Sequence, residues 1–206
     1  MFARWQPRYA EHGVALVPCE MVDGRKKPLV KHPERFGCRG SAEIAIKFPD
    51  ASVFGFYAGE GSRITVLDVN VPDERVLRDA LDRHGPTPFI VRTASGKFHG
   101  LYRHNGEKRC SRPWKGQGLP IDLLGKGLAI APPSITKNGD YRIVNGTLDD
   151  LDRLPIMQGL DAKHYRKQQS SPLSTPSGPK PWAEMREGDG RNEALFRQLG
   201  RSPPLR

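Results

Sequence analysis

Residues 66–70 read VLDVN and close an apolar, β-branched run that predicts a strand over residues 63–69. Because side chains alternate along a strand, Asp68 and Asn70 are expected to point from its tip to the same side. Two carboxylates in this arrangement can chelate divalent cations, which is typical of phosphoryl-transfer sites. Asn70 stands where the second acid of such a pair is expected. Taken alone, the pattern also fits an ordinary strand end followed by a turn.

A second polar stretch, ASGKFH at residues 94–99, forms a candidate phosphate site. A glycine-containing turn at Ser95, Gly96 and Lys97 can present backbone N–H groups to phosphate oxygens, and Ser95 adds a hydroxyl donor. His99 follows on the next strand, and Arg92 on the preceding strand could add a bidentate phosphate contact. The alternative is an ordinary hairpin with a half-buried histidine.

Asp122 is the only acid in the otherwise apolar stretch 120–124, which precedes Gly125-Lys126-Gly127. A lone carboxylate on a buried face is costly, so we expect a metal ion or another cation beside it. The alternative is that Asp122 faces solvent or a basic neighbour such as Lys126.

Length and charge narrow the class of protein. A chain of 206 residues with a formal net charge of +10 suits one domain plus a tail, or two small domains, and favours a polyanionic partner. On this charge, nucleic acid ranks ahead of membrane as the partner. No apolar stretch approaches the roughly 18 residues that span a bilayer. A basic protein without such a partner is the alternative. Three widely spaced cysteines and no signal peptide favour a reducing, cytoplasmic setting over a zinc ribbon or disulfide framework.

The order of elements predicts an α+β fold, because hairpins alternate with only a few helices. We expect Ser41 to cap a helix, and Pro72-Asp73 and Gly85 to bound another. Two hairpins are predicted, one joining 89–93 to 98–103 and one joining 119–124 to 128–131. We divide the chain into a catalytic domain at 1–160, a Ser/Pro-rich linker at 161–181 and a helical segment at 182–206.

Together the three polar stretches resemble the motifs of the bifunctional DNA primase–polymerase (prim-pol) domain of the archaeo-eukaryotic primase superfamily. Those motifs are an acidic pair at a strand end, a Ser-x-His-type phosphate motif and a lone acid after an apolar residue. The resemblance covers roughly residues 5–157. It is supported by Lys26-Lys27-Pro28, Ala131-Pro132-Pro133-Ser134 and Gly139-Asp140-Tyr141, and the 190–195 stretch resembles the helical segment that often follows this domain.

The resemblance implies an RRM-like catalytic sheet beside a smaller N-terminal α/β part. It also implies a primase and DNA polymerase that takes dNTP or NTP and extends primers on a single-stranded DNA template. Asp68, the residue at position 70 and Asp122 would hold two Mg²⁺ or Mn²⁺ ions. A helicase domain, fused or in trans, is a further expected partner. The incoming nucleotide would be bound by Arg92, Ser95, Gly96, Lys97, His99 and Lys126.

Asn70 departs from this family, in which the position is normally acidic. An amide has nearly the shape of a carboxylate but lacks its charge, so it is a weaker ligand for a divalent cation. We therefore expect the chain to bind nucleotide and template but to turn over poorly. One hypothesis is that Asn70 is an engineered replacement of Asp, and the other is a natural, non-catalytic relative.

Two basic loops are candidates for nucleic-acid binding. One spans 25–39 and contains Lys26 and Lys27, and the other spans 103–115. Trp114 could stack on a base for roughly 1–3 kcal/mol, or it could lie in the core. The basic residues expected around Trp114 are Arg103, Arg109, Arg112 and Lys115.

Two other function classes stay open. A non-catalytic single-stranded nucleic-acid-binding or replication-initiator domain would share the basic surface. A metal-dependent nuclease also clusters acids, but it gives no role to the phosphate turn at 95–99.

Overall fold

Residues 1–165, the part of the chain that the computed structural model describes, form mixed α/β structure with antiparallel sheets and few helices. The strands pair into a four-stranded sheet, a six-stranded sheet and a small two-stranded hairpin. The helices are α1 (Phe2–Ala10), α2 (Cys38–Lys47) and α3 (Glu74–His84), with short 3-10 helices at Pro33–Arg35, Lys115–Gln117, Leu148–Arg153 and Ala162–His164. The strands are β1 (Leu16–Val22), β2 (Arg25–Pro28), β3 (Val53–Ala58), β4 (Ile64–Val69), β5 (Ile90–Arg92), β6 (Phe98–Arg103), β7 (Arg109–Cys110), β8 (Ile121–Leu124), β9 (Gly127–Ile130), β10 (Ile135–Thr136), β11 (Gly139–Asp140) and β12 (Arg142–Asn145).

The four-stranded sheet has the order β2-β1-β3-β9. Phe2 of α1 packs against Phe54 of β3, with ring centroids 5.8 Å apart. Ser41 donates a 2.6 Å hydrogen bond to the carbonyl of Leu16 on β1. The expectation that Ser41 caps a helix is therefore wrong: α2 begins earlier, after Gly37, and the Ser41 hydroxyl is fully buried between α2 and β1.

The six-stranded sheet has the order β12-β5-β6-β4-β8-β7, so β4 lies between β6 and β8. Alternate residues of β4 belong to two hydrophobic clusters. Leu67 and Val69 pack with Leu77 of α3, whereas Val66 packs in the cluster that also contains Phe54 of the four-stranded sheet. Both faces of β4 are thus covered, and Asp68 shares the face of Val66.

The bounds of α3 are confirmed, and so is the first hairpin, although its first strand is Ile90–Arg92 rather than 89–93. Asp73 is the N-cap of α3, and its carboxylate accepts a hydrogen bond from the backbone N–H of Arg75. Gly85 ends the helix with a φ of 86°, which favours glycine. β5 and β6 pair in antiparallel register across the turn at 93–97.

The second predicted hairpin is wrong. β8 and β9 follow each other in sequence but do not pair: β8 pairs with β4 and β7, and β9 pairs with β3 of the other sheet. Gly125 permits this crossing, because a Cβ there would overlap the carbonyl oxygen of Glu107. This close approach of the two backbones lets the chain pass from the six-stranded sheet to the four-stranded sheet.

The described chain continues beyond the boundary predicted at residue 160. His164 is 1% exposed, and Tyr165 forms an isolated bridge with Glu107. The rest of the linker predicted at 161–181 and the helical segment predicted at 182–206 lie outside the described residues. Within residues 1–165, no helix combines the length and apolar character needed to cross a membrane.

We expect Gly125→Ala to destabilise the fold by about 1–3 kcal/mol, because a side chain there forces two backbones apart. Chemical denaturation would measure the loss. Gly61→Ala is the matched control, since a Cβ at Gly61 meets none of the described atoms within 4 Å. Equal stability of the two variants would contradict the close packing of Gly125 against Glu107.

Candidate active site

The antiparallel register of three adjacent strands brings three of the predicted site residues into one row. Asp68 on β4 lies directly opposite His99 on β6 and, on its other side, directly opposite Asp122 on β8. Side chains of directly opposed residues project from the same face at about 4.5–5.5 Å between Cβ atoms. The three motifs, distant in sequence, therefore meet on the face that Asp68 shares with Val66.

Asn70 lies just past the end of β4. Its backbone N–H donates a 2.8 Å hydrogen bond to the carbonyl of Pro120, which continues the pairing of β4 with β8 by one residue. Strand alternation then keeps Asn70 on the face of Asp68. The backbone pairing therefore extends through position 70, and a role of the Asn70 side chain beside Asp68 stays a prediction.

Asp68 is held in a partly buried, charged environment, with its side chain 18% exposed. Burial raises the pKa of Asp68 above its usual range, Lys26 opposes that rise, Asp122 adds to it, and Lys97 opposes it. The carboxylate is therefore destabilised by its surroundings and by a second acid, and partly compensated by two lysines. Perturbation of this kind is common where acids are brought together for function.

His99 is almost fully buried beside Asp68. Its Nε2 lies 3.6 Å from Oδ1 of Asp68, which is too long for a good hydrogen bond. Burial, with added repulsion from Lys26 and Lys97, lowers the pKa of His99 to about 3. The imidazole is thus neutral near pH 7 and keeps one N–H donor. Tyr141 packs nearby, with the two ring centroids 6.2 Å apart.

Asp122 is oriented by the loop that follows β7. Its Oδ1 accepts a 2.6 Å hydrogen bond from the backbone N–H of Arg112, whose φ is 45°. This contact fixes one carboxylate oxygen of Asp122, and the backbone N–H is a donor that any residue at position 112 other than proline would supply.

The turn before His99 is closed by its own backbone. Gly96 donates a 2.9 Å hydrogen bond to the carbonyl of Thr93, and Thr93 donates a 2.8 Å bond to that of Lys97. The Ser95 hydroxyl lies 3.2 Å from that of Thr93. Gly96 has a φ of 80°, so its role in the turn is conformational, and its N–H is engaged within the hairpin.

Arg92 and Lys126 do not join the row. Arg92 lies opposite Phe98, one position away from His99, and therefore on the other face of the sheet. Its guanidinium lies over the Phe98 ring, 6.0 Å from the centroid. Lys126 is exposed in the crossing between β8 and β9.

The predicted nucleic-acid residues fall into separate places. Arg109 lies opposite Leu124 and faces the same side as Asp122. Arg103 lies opposite Ile64, four positions from His99 along β6, or about 13 Å. Lys115 begins the 3-10 helix Lys115–Gln117.

Of the two alternatives for Trp114, the structure has the core position. Trp114 is 8% exposed, and its ring centroid lies 4.4 Å from that of His84 and 5.4 Å from that of His164. A buried indole between two histidines is not placed to stack on a base.

The two neighbouring lysines of β2 have different surroundings, although the sequence pattern treats them alike. Lys27 is exposed, and its Nζ lies 2.9 Å from Oε1 of Glu20. Lys26 is half-buried and faces the site, where its charge acts on Asp68. The alternation of side chains along the strand at residues 25–28 predicts this difference between Lys26 and Lys27. Tyr141, which the sequence singles out only as part of Gly139-Asp140-Tyr141, packs near His99, and nothing local in its sequence indicates that contact.

Comparison with known families identifies the domain. The family model for the bifunctional DNA primase/polymerase, N-terminal (Prim-Pol), matches residues 6–157. The chain belongs to the Prim-Pol family. The resemblance given by the three motifs is thereby confirmed, and the family implies a nucleotidyltransferase function of the primase/polymerase type in general. Prim-Pol enzymes are generally dependent on divalent metals. No curated protein matches the chain.

We expect His99 to make the stability of this Prim-Pol domain sensitive to acid. Its folded pKa, about 3, lies below the unfolded value near 6.5, so the unfolded state binds more protons between these limits. Stability should therefore fall as the pH drops from about 6.5 towards 3, by at most about 1.4 kcal/mol per pH unit from this residue. Urea denaturation at pH 7 and pH 5 would measure the loss.

His99→Gln should lose less stability between these two pH values than the unchanged chain does. His32→Gln is the control, because the His32 side chain is 69% exposed. Identical pH dependence of the His99→Gln variant and the unchanged chain would contradict a buried, neutral His99.

Proposed function

We propose that the chain is a template-dependent DNA primase and DNA polymerase that starts primers and extends them on single-stranded DNA. The observation that supports this most is the row of Asp122, Asp68 and His99 on three adjacent strands. It combines two acids, suited to divalent cations, with a neutral donor suited to phosphate. The RRM-like arrangement of the catalytic sheet is part of the same proposal.

The residues present fit a Mg²⁺ or Mn²⁺ site in their donor chemistry. Hard divalent cations prefer oxygen ligands, which Asp68, Asp122 and the amide of Asn70 can supply. Among residues 1–165, no group of three or more His, Cys, Asp or Glu side chains could hold a metal ion. The residue that would complete such a group with Asp68 and Asp122 is Asn70. Bound cations would supply activation of the attacking 3′-oxygen and neutralisation of the triphosphate.

The side chains of the row would hold and orient the substrates. Asp68 and Asp122 must be deprotonated to bind a cation; burial raises the pKa of Asp68, and Lys26 and Lys97 oppose that rise. His99, neutral near pH 7, would donate a hydrogen bond to a phosphate oxygen without acting as a nucleophile. Ser95 and Lys97, on the turn that precedes His99, would contact the same triphosphate. Arg92 and Lys126 lie outside the row, and any contact that they make with the triphosphate would come from there.

Asn70 is proposed to impair turnover. The amide oxygen carries no net charge, so the site has one carboxylate fewer to balance two divalent cations. Asp-to-Asn replacement at such a position keeps the shape of the site, which suits either an engineered change or a natural non-catalytic relative.

Asn70→Asp should increase primer extension in Mn²⁺ or Mg²⁺ by at least about tenfold, which corresponds to roughly 1.4 kcal/mol of transition-state stabilisation. A gel assay with a primed single-stranded template would measure it. Adding Asp122→Asn to Asn70→Asp is the control and should remove the gained activity. A variant that binds nucleotide and template but still does not extend would contradict the assignment of position 70 to the metal site.

The alternatives are separated by one incubation of the Asn70→Asp variant with labelled dNTPs, Mn²⁺ and unprimed single-stranded DNA. New labelled product supports the primase, template binding alone supports a replication-initiator or binding domain, and shortened template supports a nuclease. A helicase partner and a cytoplasmic location remain predictions.

We further propose that the template runs past Asp122 along Arg109 and Arg112. Arg109 faces the side of Asp122, and Arg112 is exposed next to it. Lys27 and Lys115 remain predicted parts of this surface, whereas Arg103 lies towards the other end of β6.

Binding of single-stranded DNA should therefore weaken steeply with salt. Removing one side chain that binds a phosphate should reduce the slope of log affinity against log salt by about 0.7. Fluorescence anisotropy of a labelled oligonucleotide would give the slopes for Arg109→Gln and Arg112→Gln. Arg75→Gln is the control, because Arg75 lies in the first turn of α3 and pairs with Asp73 at 2.8 Å. Slopes equal to that of the unchanged chain would count against this surface.

A further inference from the structure

β2 places two consecutive lysines on opposite faces of the four-stranded sheet. Lys27 lies opposite Glu20 and forms an exposed ion pair with it. Lys26 lies opposite Met21, which is partly buried against the larger hydrophobic cluster. The two side chains have the same chemistry and differ only in the face on which strand alternation places them.

The ammonium group of Lys26 is held at the site by a main-chain contact. Its Nζ donates a 3.3 Å hydrogen bond to the carbonyl of Leu128 on β9. β2 and β9 are the two edge strands of the sheet, so the sheet curls enough for one edge to reach the other. The Leu128 carbonyl accepts a hydrogen bond from one of the three N–H donors of the ammonium group. A half-buried lysine fixed in this way is poorly hydrated, and its position is not that of a free surface lysine.

The positive charge of Lys26 acts on two residues of the row, Asp68 and His99. It favours the charged form of Asp68 and disfavours protonation of His99, and Arg109 on β7 repels Lys26. Lys26 would repel divalent cations bound by Asp68 and Asp122. A strongly anionic ligand between Lys26 and such cations would be attracted to both. Among the substrates of a primase, the polyphosphate of a nucleotide carries the greatest charge in the smallest volume.

We propose that Lys26 binds the triphosphate of the incoming nucleotide, on the side of the row that faces the four-stranded sheet. The inference rests on the proposed function and deepens it, because it moves Lys26 from the template surface to the nucleotide site. His99 and Lys97 approach the same polyanion from the six-stranded sheet. The triphosphate is thus held between the two sheets, and Lys27 has no part in it.

The test compares Lys26→Gln with Lys27→Gln, measuring affinity for dATP in Mn²⁺ by isothermal titration calorimetry. Loss of one charge-assisted contact should weaken dATP binding by about tenfold in Lys26→Gln and by less than about twofold in Lys27→Gln. The effect in Lys26→Gln should shrink when dAMP replaces dATP. Affinity for a single-stranded oligonucleotide without nucleotide should stay unchanged in Lys26→Gln.

Lys26→Arg and Lys26→Met distinguish the loss of a nucleotide contact from the loss of the fold. Arginine keeps the charge and should retain most of the dATP affinity, whereas methionine keeps the apolar length and should lose it. In the Asn70→Asp background, Lys26→Gln should raise the KM for dNTP more than it lowers kcat. Thermal unfolding of each variant would show whether a loss reflects the fold.

Unchanged dATP affinity in a folded Lys26→Gln or Lys26→Met variant would overturn the inference, and so would a loss confined to oligonucleotide binding. Failure of the Asn70→Asp variant to polymerise bears on the proposed function alone. A tenfold loss of dATP binding in Lys26→Gln would still support the nucleotide site in that case.

Discussion

The pairing of β4 with both β6 and β8 is the constraint on which the site depends. Because the side chains of a strand alternate, a slip of one residue in either pairing would send His99 or Asp122 to the α3 face of the sheet. Apolar residues protect the register: Leu67 and Val69 are buried on one face of β4, and Val66 is buried on the other. The same core that stabilises the sheet therefore positions the acids.

The electrostatics of the site follow from this placement. Two carboxylates brought together at the partly buried end of a strand repel each other, and burial alone would favour their protonated forms. Lys26 and Lys97 counter that tendency from opposite sheets. The arrangement costs stability, since partly buried charges are poorly hydrated, and a fold selected for stability alone would place apolar residues here. The cost is consistent with selection for binding a charged ligand.

Local features could be predicted from the sequence, and partner choice could not. The N-cap at Asp73 and the turn before Phe98 depend on a few neighbouring residues, and both agree with the structure. β8 and β9 are both apolar strands separated by a glycine turn, a pattern that also fits a hairpin. The contact of Gly125 with Glu107, which directs the two strands to different sheets, is not visible in the local sequence. Trp114 lies in the core for a similar reason, because His84 and His164 are distant in sequence and close in space. The functional motifs are recognisable in the sequence because each is a short stretch of polar residues, although the stretches meet only in the folded chain.

Asn70 shows how the scaffold and the chemistry of this domain can be separated. The hydrogen bond that ties the end of β4 to β8 is made by the backbone N–H of Asn70, so any residue other than proline at this position can keep it. The side chain therefore contributes charge and ligand character, and the register does not depend on it. An aspartate there would add a third acid near Asp68, whose charge Lys26 and Lys97 already favour, and would strengthen cation binding. Loss of that acid would leave the core, the row of Asp68, His99 and Asp122, and the position of Lys26 unchanged, which is why a change at one ligand can reduce turnover without removing the binding site.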